Sequence, residues 1–381
     1  MNNEPNNTEK YILKESIQRL LRSGRPFALF RYPQSECVEL ILQDHDDVTI
    51  LKKSDKNIYG FVFAPFHHTD DCPAVLIRPD IHATGWEQIA TVSSRLSHSA
   101  GTTVDFHHTR CATDDVNVSS PYDAYFEDAT ERIRKGELKK IVLSYCQEEQ
   151  GRYHLYGKEA EIFLSALTAY PNCMVSMTRT PHSGCWIGST PETLLQREGD
   201  RWSTMALAGT RTQEEGNWDS KNLDEQDIVT QYVKDVLQQL GADVVMGENS
   251  TMHTGNLMHI RTDINFQFPA EKDTLDVLKA LHPTPAVCGM PQQNAFQVIL
   301  SHEGESRHYF SGYLGVIKGN EEAHIFVNLR CAHICKEATH YHAGGGITAQ
   351  SQLQNEKNEI QNKLNTLKKL VSSTIQPDTP C

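Results

Sequence analysis

Ile360, Leu364, Leu367 and Val371 recur at three- and four-residue spacing, the period of one helix face, so the last helix of the chain packs on a core. Glu356 lies four residues before Ile360, Lys363 three after it, and Glu359 stands four before Lys363. These charges point to the core or its edge, where they are costly unless paired or metal-bound. Just upstream, Gly344-Gly345-Gly346-Ile347 brings bare backbone within reach of a ligand. Alone, the segment fits equally well a solvated helix with ordinary ion pairs behind a glycine turn.

Patterning organises the rest of the chain in the same way. Up to about residue 110 it reads as short strands, Phe27–Tyr32, Val38–Leu42 and Ile58–Ala64, after a helix at Lys10–Arg22. Helices at Pro121–Lys135 and Gly157–Tyr170 flank a strand at Lys140–Tyr145. Strands follow at Cys173–Thr178, Gly184–Ile187 and Trp202–Ala208, then a helix at Leu223–Leu240 with the stripe Val229, Val233, Val236 and Leu240. His259–Phe268 alternates as a strand and Leu275–Leu281 is helical; Arg307–Ile317, His324–Ile334 and His340–Ile347 read as strands. Strands that succeed one another without helices between them imply antiparallel sheet. No linker, repeat or low-complexity tract interrupts the chain. The expectation is an α+β protein of one large domain, 1–381, with a strand-rich part at 1–110 and a core at 116–371.

Composition narrows the function. A chain of 381 residues, 38% hydrophobic, buries one large core or two medium ones. A net charge of −13 without a long Lys/Arg block excludes nucleic acid and anionic membrane as expected partners. The polar start MNNEPNNTEK lacks a signal-peptide pattern, and no run spans a bilayer, so a cytoplasmic location is expected. The ten cysteines lack paired zinc spacing and are expected as reduced, mostly buried thiols. His67-His68 and His107-His108 have no spaced partners and read as loop and strand-edge residues.

Several positions carry chemistry. Lys140 opens the strand KIVLSY on the face opposite Ile141 and Leu143, either snorkelling to solvent or facing a site. Glu192 projects from a Thr-Pro corner after an apolar strand, and Glu225 lies four before Val229, on the buried side of its helix. Each acid also fits a simple helix- or turn-start role. Arg330 lies among apolar residues in a predicted strand, where a ligand carboxylate, or a structural acid, would satisfy it. His282-Pro-Thr-Pro-Ala-Val-Cys-Gly-Met-Pro is a stiff loop suited to a pocket wall.

Taken together, KIVLS, GSTPE, ALAGTR, LDEQ, LMHIRTDI, LHPTPAVCGMP, the Glu303-to-Gly312 ExxxRxxxxG, NLRCA, AGGGI and ExxExxxK resemble one family. It is the chorismate-utilising enzymes, which include anthranilate, aminodeoxychorismate, isochorismate and salicylate synthases. The likeness runs from about Pro121 to Val371; residues 1–110 match only loosely. It implies two large, mainly antiparallel sheets packed together, helices outside, and a site in the cleft between. By position it implies Lys140 as the base that activates water and Glu192 as the acid that protonates the departing 4-hydroxyl. Glu225 and Glu359 would ligate Mg²⁺, with Glu356 acting through water. Arg330, Lys363, Gly345, Gly346, Thr210 and His259 would bind substrate. Amide-transferring members carry glutamine at the Lys140 position or lysine at the Ala208 position, so water is the implied nucleophile and no glutaminase subunit is expected. Ala286, Val287 and Phe310 resemble isochorismate synthase, where salicylate synthases tend to carry Thr and Tyr at positions 286 and 310. The resemblance implies a monomeric, Mg²⁺-dependent isochorismate synthase acting on chorismate, feeding menaquinone. A salicylate synthase, a siderophore-pathway enzyme and a non-catalytic chorismate-binding relative are the alternatives. Tyr145 and Gly345 depart from the family, which has arginine and alanine there.

Overall fold

The computed structural model describes residues 7–97, 121–212, 217–303 and 307–374; His107 and His108 lie outside them. Two nine-stranded sheets form the body, and every strand pairing in them is antiparallel. At one end of the first sheet Gly289–Met290, Lys140–Glu149, Thr339–Ile347, Cys331–Ile334 and Gly184–Thr190 lie side by side. The second runs from Asp243–Thr254 and Leu257–Gln267 through Arg201–Thr212, Thr193–Glu198, Glu322–Val327 and Tyr313–Lys318 to strands from the first 80 residues. The N-terminal part is thus continuous with both sheets, and the α+β, single-domain expectation holds.

Period-two alternation sends each strand's residues to two different cores. Ile141, Leu143 and Tyr145 pack outward with Ile360, Leu364, Leu367 and Val371 of the Leu353–Thr374 helix. On the far side, Ala206, Ala208, Ile264 and Phe266 pack under Val229, Val233 and Leu237 of the Ser220–Gln239 helix. That helix buries Leu237, while Val236 and Leu240 are only partly buried, so the true stripe sits slightly round from the expected one. Between the sheets lie Phe30, Phe61, Phe63, Trp186, Tyr309, Phe310 and Phe326, with Phe63 stacked on Tyr309 at 4.3 Å. Lys140 belongs to this inner face of the first sheet, since its strand neighbours Ile141 and Leu143 face out.

Two predicted strands need correction. His324–Ile334 is two strands, Glu322–Val327 in the second sheet and Cys331–Ile334 in the first. The chain crosses between sheets at Asn328–Arg330, where Arg330 takes a left-handed φ of 47° and so stands outside either strand. Asn328 fixes the crossing by donating its amide to the Tyr309 carbonyl at 2.9 Å. Apolar residues flank the crossing on both sides and Leu329 lies within it, so the sequence pattern hides it. Arg307–Ile317 is strand only from Tyr313; before it, His308 and Ser311 have positive φ and the chain turns tightly. A side chain on Gly312 would strike the Ala64 carbonyl oxygen at 2.0 Å, so only glycine lets that turn close against the neighbouring strand.

Seven of the eight described cysteines are free, six of them buried; Cys146 is disulfide-bonded, against the expectation of reduced thiols. A buried network ties the first sheet to the His282–Met290 loop. Glu303 accepts from the Ser144 N–H at 2.8 Å and from Arg307 Nε at 2.6 Å. Arg307 also donates to the carbonyls of Val287 and Val142, at 2.7 and 2.6 Å, over the ring of Phe66. Both partners are nearly inaccessible, at 3% and 2%. Removing one partner strands the other charge, so Arg307→Met should cost about 3–5 kcal/mol in urea denaturation. A loss no greater than that of an exposed pair, Arg134→Met for instance, would show that the network holds nothing together.

Candidate active site

The cleft between the sheets gathers charges from five elements. Lys140 is fully buried, and its ammonium lies 2.9 Å from Glu225 Oε1, an ion pair without the alignment of a good hydrogen bond. Glu225 reaches it from the second turn of the Ser220–Gln239 helix, whose start is capped by Asp219 accepting from the Asn222 N–H at 2.8 Å. Burial pushes the Glu225 carboxyl up, but Lys140 and Lys221 outweigh it and hold the group below the usual carboxylate range. Space for this pair comes from Gly346: a Cβ there would stand 2.2 Å from Glu225 Oε1 and 3.0 Å from Lys140 Cε.

Glu192 occupies the short link between Gly184–Thr190 and Thr193–Glu198, at 4% exposure. Desolvation drives its carboxyl up to about 8, partly opposed by Lys140 and Lys363. At neutral pH it therefore holds a proton. The C-terminal helix adds two acids: Glu356 pairs with Lys221 at 2.5 Å, and Glu359 accepts from Lys363 at 2.7 Å. Lys363 also donates to the Gly344 carbonyl at 2.7 Å. Glu356 Oε2 is buried with no hydrogen-bond partner, and burial together with Glu359 raises this carboxyl to about 7.

On the opposite wall Arg330 is buried, and its Nη2 donates to His259 Nε2. His259 Nδ1 in turn lies 3.0 Å from the Gly209 carbonyl and 3.3 Å from Thr210 Oγ1. Those bonds assign the proton to Nδ1, and burial with Arg330 and Lys363 nearby holds the ring neutral. Arg330 Nη1 is buried without a hydrogen-bond partner, and no carboxylate among the described residues pairs with the guanidinium. A buried guanidinium half satisfied by a neutral imidazole calls for an anion. A cavity of about 310 Å³ adjoins the cluster, lined by Thr210, Arg211, Lys221, Asn222 and Glu359. Two larger clefts include none of Lys140, Glu192, Glu225 or Glu359.

The structure thus brings together Lys140, Glu192, Glu225, Glu356, Glu359, Lys363, Arg330, His259, Thr210 and the glycine run. Phe310 is buried, stacked on His342 at 5.5 Å and close to Gly344. Val287 packs its side chain into the core of the second sheet, and Ala286 is half-buried in the same loop. Sequence reasoning missed Lys221, one helical turn before Glu225, whose ammonium feels Glu356, Glu359 and Glu225 together. Its spacing from Glu225 was the available signal. Tyr145 sits on the outward face, edge-on to Tyr122 at 6.4 Å, so that departure does not touch the cleft. At Gly345 the nearest atom to an added Cβ is Glu356 Oε2 at 3.5 Å, ordinary contact, so either glycine or alanine fits.

A family model described as chorismate binding enzyme matches residues 74–372. The chain belongs to the chorismate-binding enzymes. Among curated relatives of this chorismate-binding protein, isochorismate synthase MenF of Haemophilus influenzae is 32% identical over 265 residues, 63% of this chain and 57% of that protein. Isochorismate synthase EntC of Escherichia coli is 31% identical over 196 residues, 48% and 50% of the two chains. The matches thus span about half the length of these curated relatives. The solved structure of MenF, the menaquinone-specific isochorismate synthase from Escherichia coli, superposes with TM-score 0.70 at 20% identity, covering 91% of this chain and 88% of that one. That likeness shows the shared fold.

Two substitutions in the glycine run separate close fit from general crowding. Gly346→Ala should displace Glu225 and cut turnover in the reaction proposed below roughly 10²-fold, while Gly345→Ala stays within severalfold of the parent. Equal rates in the two variants would show that the Glu225 contact is irrelevant. Glu192 titrates with the opposite sense to an ordinary paired acid. Its raised folded pKa makes its contribution fully present below the unfolded value and lost as pH rises through about 8. Glu192→Gln should therefore gain stability relative to the parent across that window, and a flat difference in denaturation midpoints would contradict the assignment.

Proposed function

We propose that the chain is an isochorismate synthase, adding water at C2 of chorismate and losing the C4 hydroxyl as the ring double bonds shift. The observation that carries the reading is the pairing of two buried groups on the inner cleft, a lysine at position 140 and a protonated carboxyl at 192. Lys140 removes the proton of the attacking water, and Glu192 delivers its proton to the departing hydroxyl. Water in, water out: the net change is an isomerisation. Lysine at 140 and alanine at 208 favour water over ammonia as the nucleophile.

Arg330 takes a substrate carboxylate at its unsatisfied Nη1 side, with His259 holding the guanidinium in place. Lys363 is tethered to the Gly344 carbonyl and so stands beside the glycine run, where bare N–H groups approach the substrate. The donor chemistry of Glu225, Glu356 and Glu359 fits a hard cation such as Mg²⁺, and the partnerless Glu356 Oε2 is consistent with that. No trio of acid oxygens among the described residues lies within 4.8 Å, so Glu225 and Glu359 would hold the ion with water and substrate, Glu356 acting through water. When bound, the cation would supply positive charge that neutralises a substrate carboxylate, and it would compete with Lys140 for Glu225. Likeness to MenF proteins favours menaquinone synthesis as the destination. Phe310 offers no hydroxyl near the glycine run, so the reaction stops at isochorismate without releasing pyruvate.

Chromatography of products from chorismate with Mg²⁺ tests this directly, with a lactate dehydrogenase coupling for pyruvate. Isochorismate alone is expected, lost in excess chelator; stoichiometric salicylate and pyruvate would overturn the reading. Lys140→Ala should lower turnover by ~10²–10⁴ while chorismate binding, measured by calorimetry, changes little. A variant within severalfold of the parent would remove Lys140 from the role of base.

A further inference from the structure

The inner face of the first sheet carries a second cluster, at the opposite end of the strands from Lys140. Cys331–Ile334 and Thr339–Ile347 form a hairpin in which His333 pairs directly with His340. Cys335 opens the turn, its N–H donating to the Ala338 carbonyl at 3.0 Å. His333, Cys335 and His340 are all buried, and their donor atoms lie within 4.8 Å of one another. Cys335 Sγ stands 3.4 Å from His333 Nδ1 and 3.8 Å from His340 Nδ1. In a tetrahedral zinc site, bonds of about 2.3 Å to sulfur and 2.0–2.1 Å to nitrogen set the sulfur–nitrogen edge at about 3.6 Å. The observed edges bracket that value.

The orientation of His340 strengthens the case. Its Nδ1 faces the thiol while its Nε2 lies 3.3 Å from Glu148 Oε2 on the adjoining strand. A carboxylate on the far nitrogen of a ligating imidazole is the arrangement that fixes ring and tautomer in metal sites. His333 is clamped from the other side by Trp186, stacked at 5.0 Å. Glu148 keeps 22% of its side chain exposed, and Lys336 and Glu337 of the turn are exposed, so the cluster lies just beneath the surface and a cation can enter. Thiolate and imidazole select a thiophilic divalent ion; Mg²⁺ prefers oxygen, so this site and the cleft acids call for different metals.

We propose that His333, Cys335 and His340 bind one Zn²⁺-class ion, oriented by Glu148, as a clip on the tip of this hairpin. Nothing in the chorismate reading is needed for it. The test uses the full chain, stripped with chelator and titrated with Zn²⁺ alone, then with Co²⁺ as a spectroscopic probe. One equivalent of Zn²⁺ should be retained after dialysis, and Co²⁺ should give a thiolate-to-metal charge-transfer band. Cys335→Ser should abolish the band, and Glu148→Gln should weaken Zn²⁺ binding roughly 10- to 100-fold. Turnover with Mg²⁺ should persist in Cys335→Ser, since that residue lies outside the cleft machinery. If Cys335→Ser does not fold, His340→Gln carries the same reading. A parent chain that retains no zinc and shows no charge-transfer band overturns the proposal whatever the variants do, as does a band unchanged in the variant that folds.

Discussion

The buried pair of Lys140 and Glu225 is the constraint around which the cleft is arranged. An ammonium with no exposure must have a countercharge, and it comes from a different element because the acid on that face of its own strand, Glu148, stands at the far end beside His340. The Ser220–Gln239 helix supplies it from the second sheet, so the pair holds the two sheets in register across the cleft. Gly346 is the matching concession in the backbone. It pairs with Val142 in the sheet yet leaves the volume that the carboxylate and the lysine stem occupy.

Charge balance explains why the cleft suits an anionic substrate. Lys140, Lys221, Lys363 and Arg330 bring four cations, against Glu225, Glu356 and Glu359, with Glu192 protonated at neutral pH. Three of the four cations are matched one to one with acids; Arg330 is matched with a neutral histidine. An anion entering this cleft meets Arg330 and, at the adjoining cavity, Arg211, whose Nε and Nη1 also lack a hydrogen-bond partner, and a divalent ion among the acids would release further positive charge toward it. Burial is what keeps Glu192 neutral, since desolvation outweighs the pull of Lys140 and Lys363 on its charged form.

Much of this was legible from the chain. Helix spacing placed Glu356 and Lys363 on the core edge, and strand alternation set Lys140 opposite Ile141 and Leu143. Both rules are local, depending only on residues a turn or two apart. What depended on distant neighbours was not legible. The break at Asn328–Arg330 is set by Tyr309 and Gly312, and no period-two pattern announces a chain crossing between sheets. Arg330 was expected inside a strand for the same reason. Lys221 went unnoticed because its acid, Glu356, is 135 residues away. The ExxxR motif was visible as spacing, but its partners Ser144 and Val142 belong to another strand.

The histidine cluster is the sharpest case of that limit. His333 and His340 stand seven residues apart, a spacing that carries no metal signature, and become neighbours only through hairpin register. Register also puts Glu148 beside His340 on the next strand, so the cluster draws on three separate segments. The cluster and the cleft are not mechanically independent. His342 stacks on both Trp186 and Phe310, and Phe310 approaches Gly344 at the edge of the glycine run. The strand Thr339–Ile347 therefore has the histidines at one end and the glycine run at the other. Glycines confer no side-chain packing to hold their own backbone in place. The backbone ladder to Lys140–Glu149 holds the glycines, and the aromatic stack of His342 with Trp186 and Phe310 adds the side-chain packing they lack.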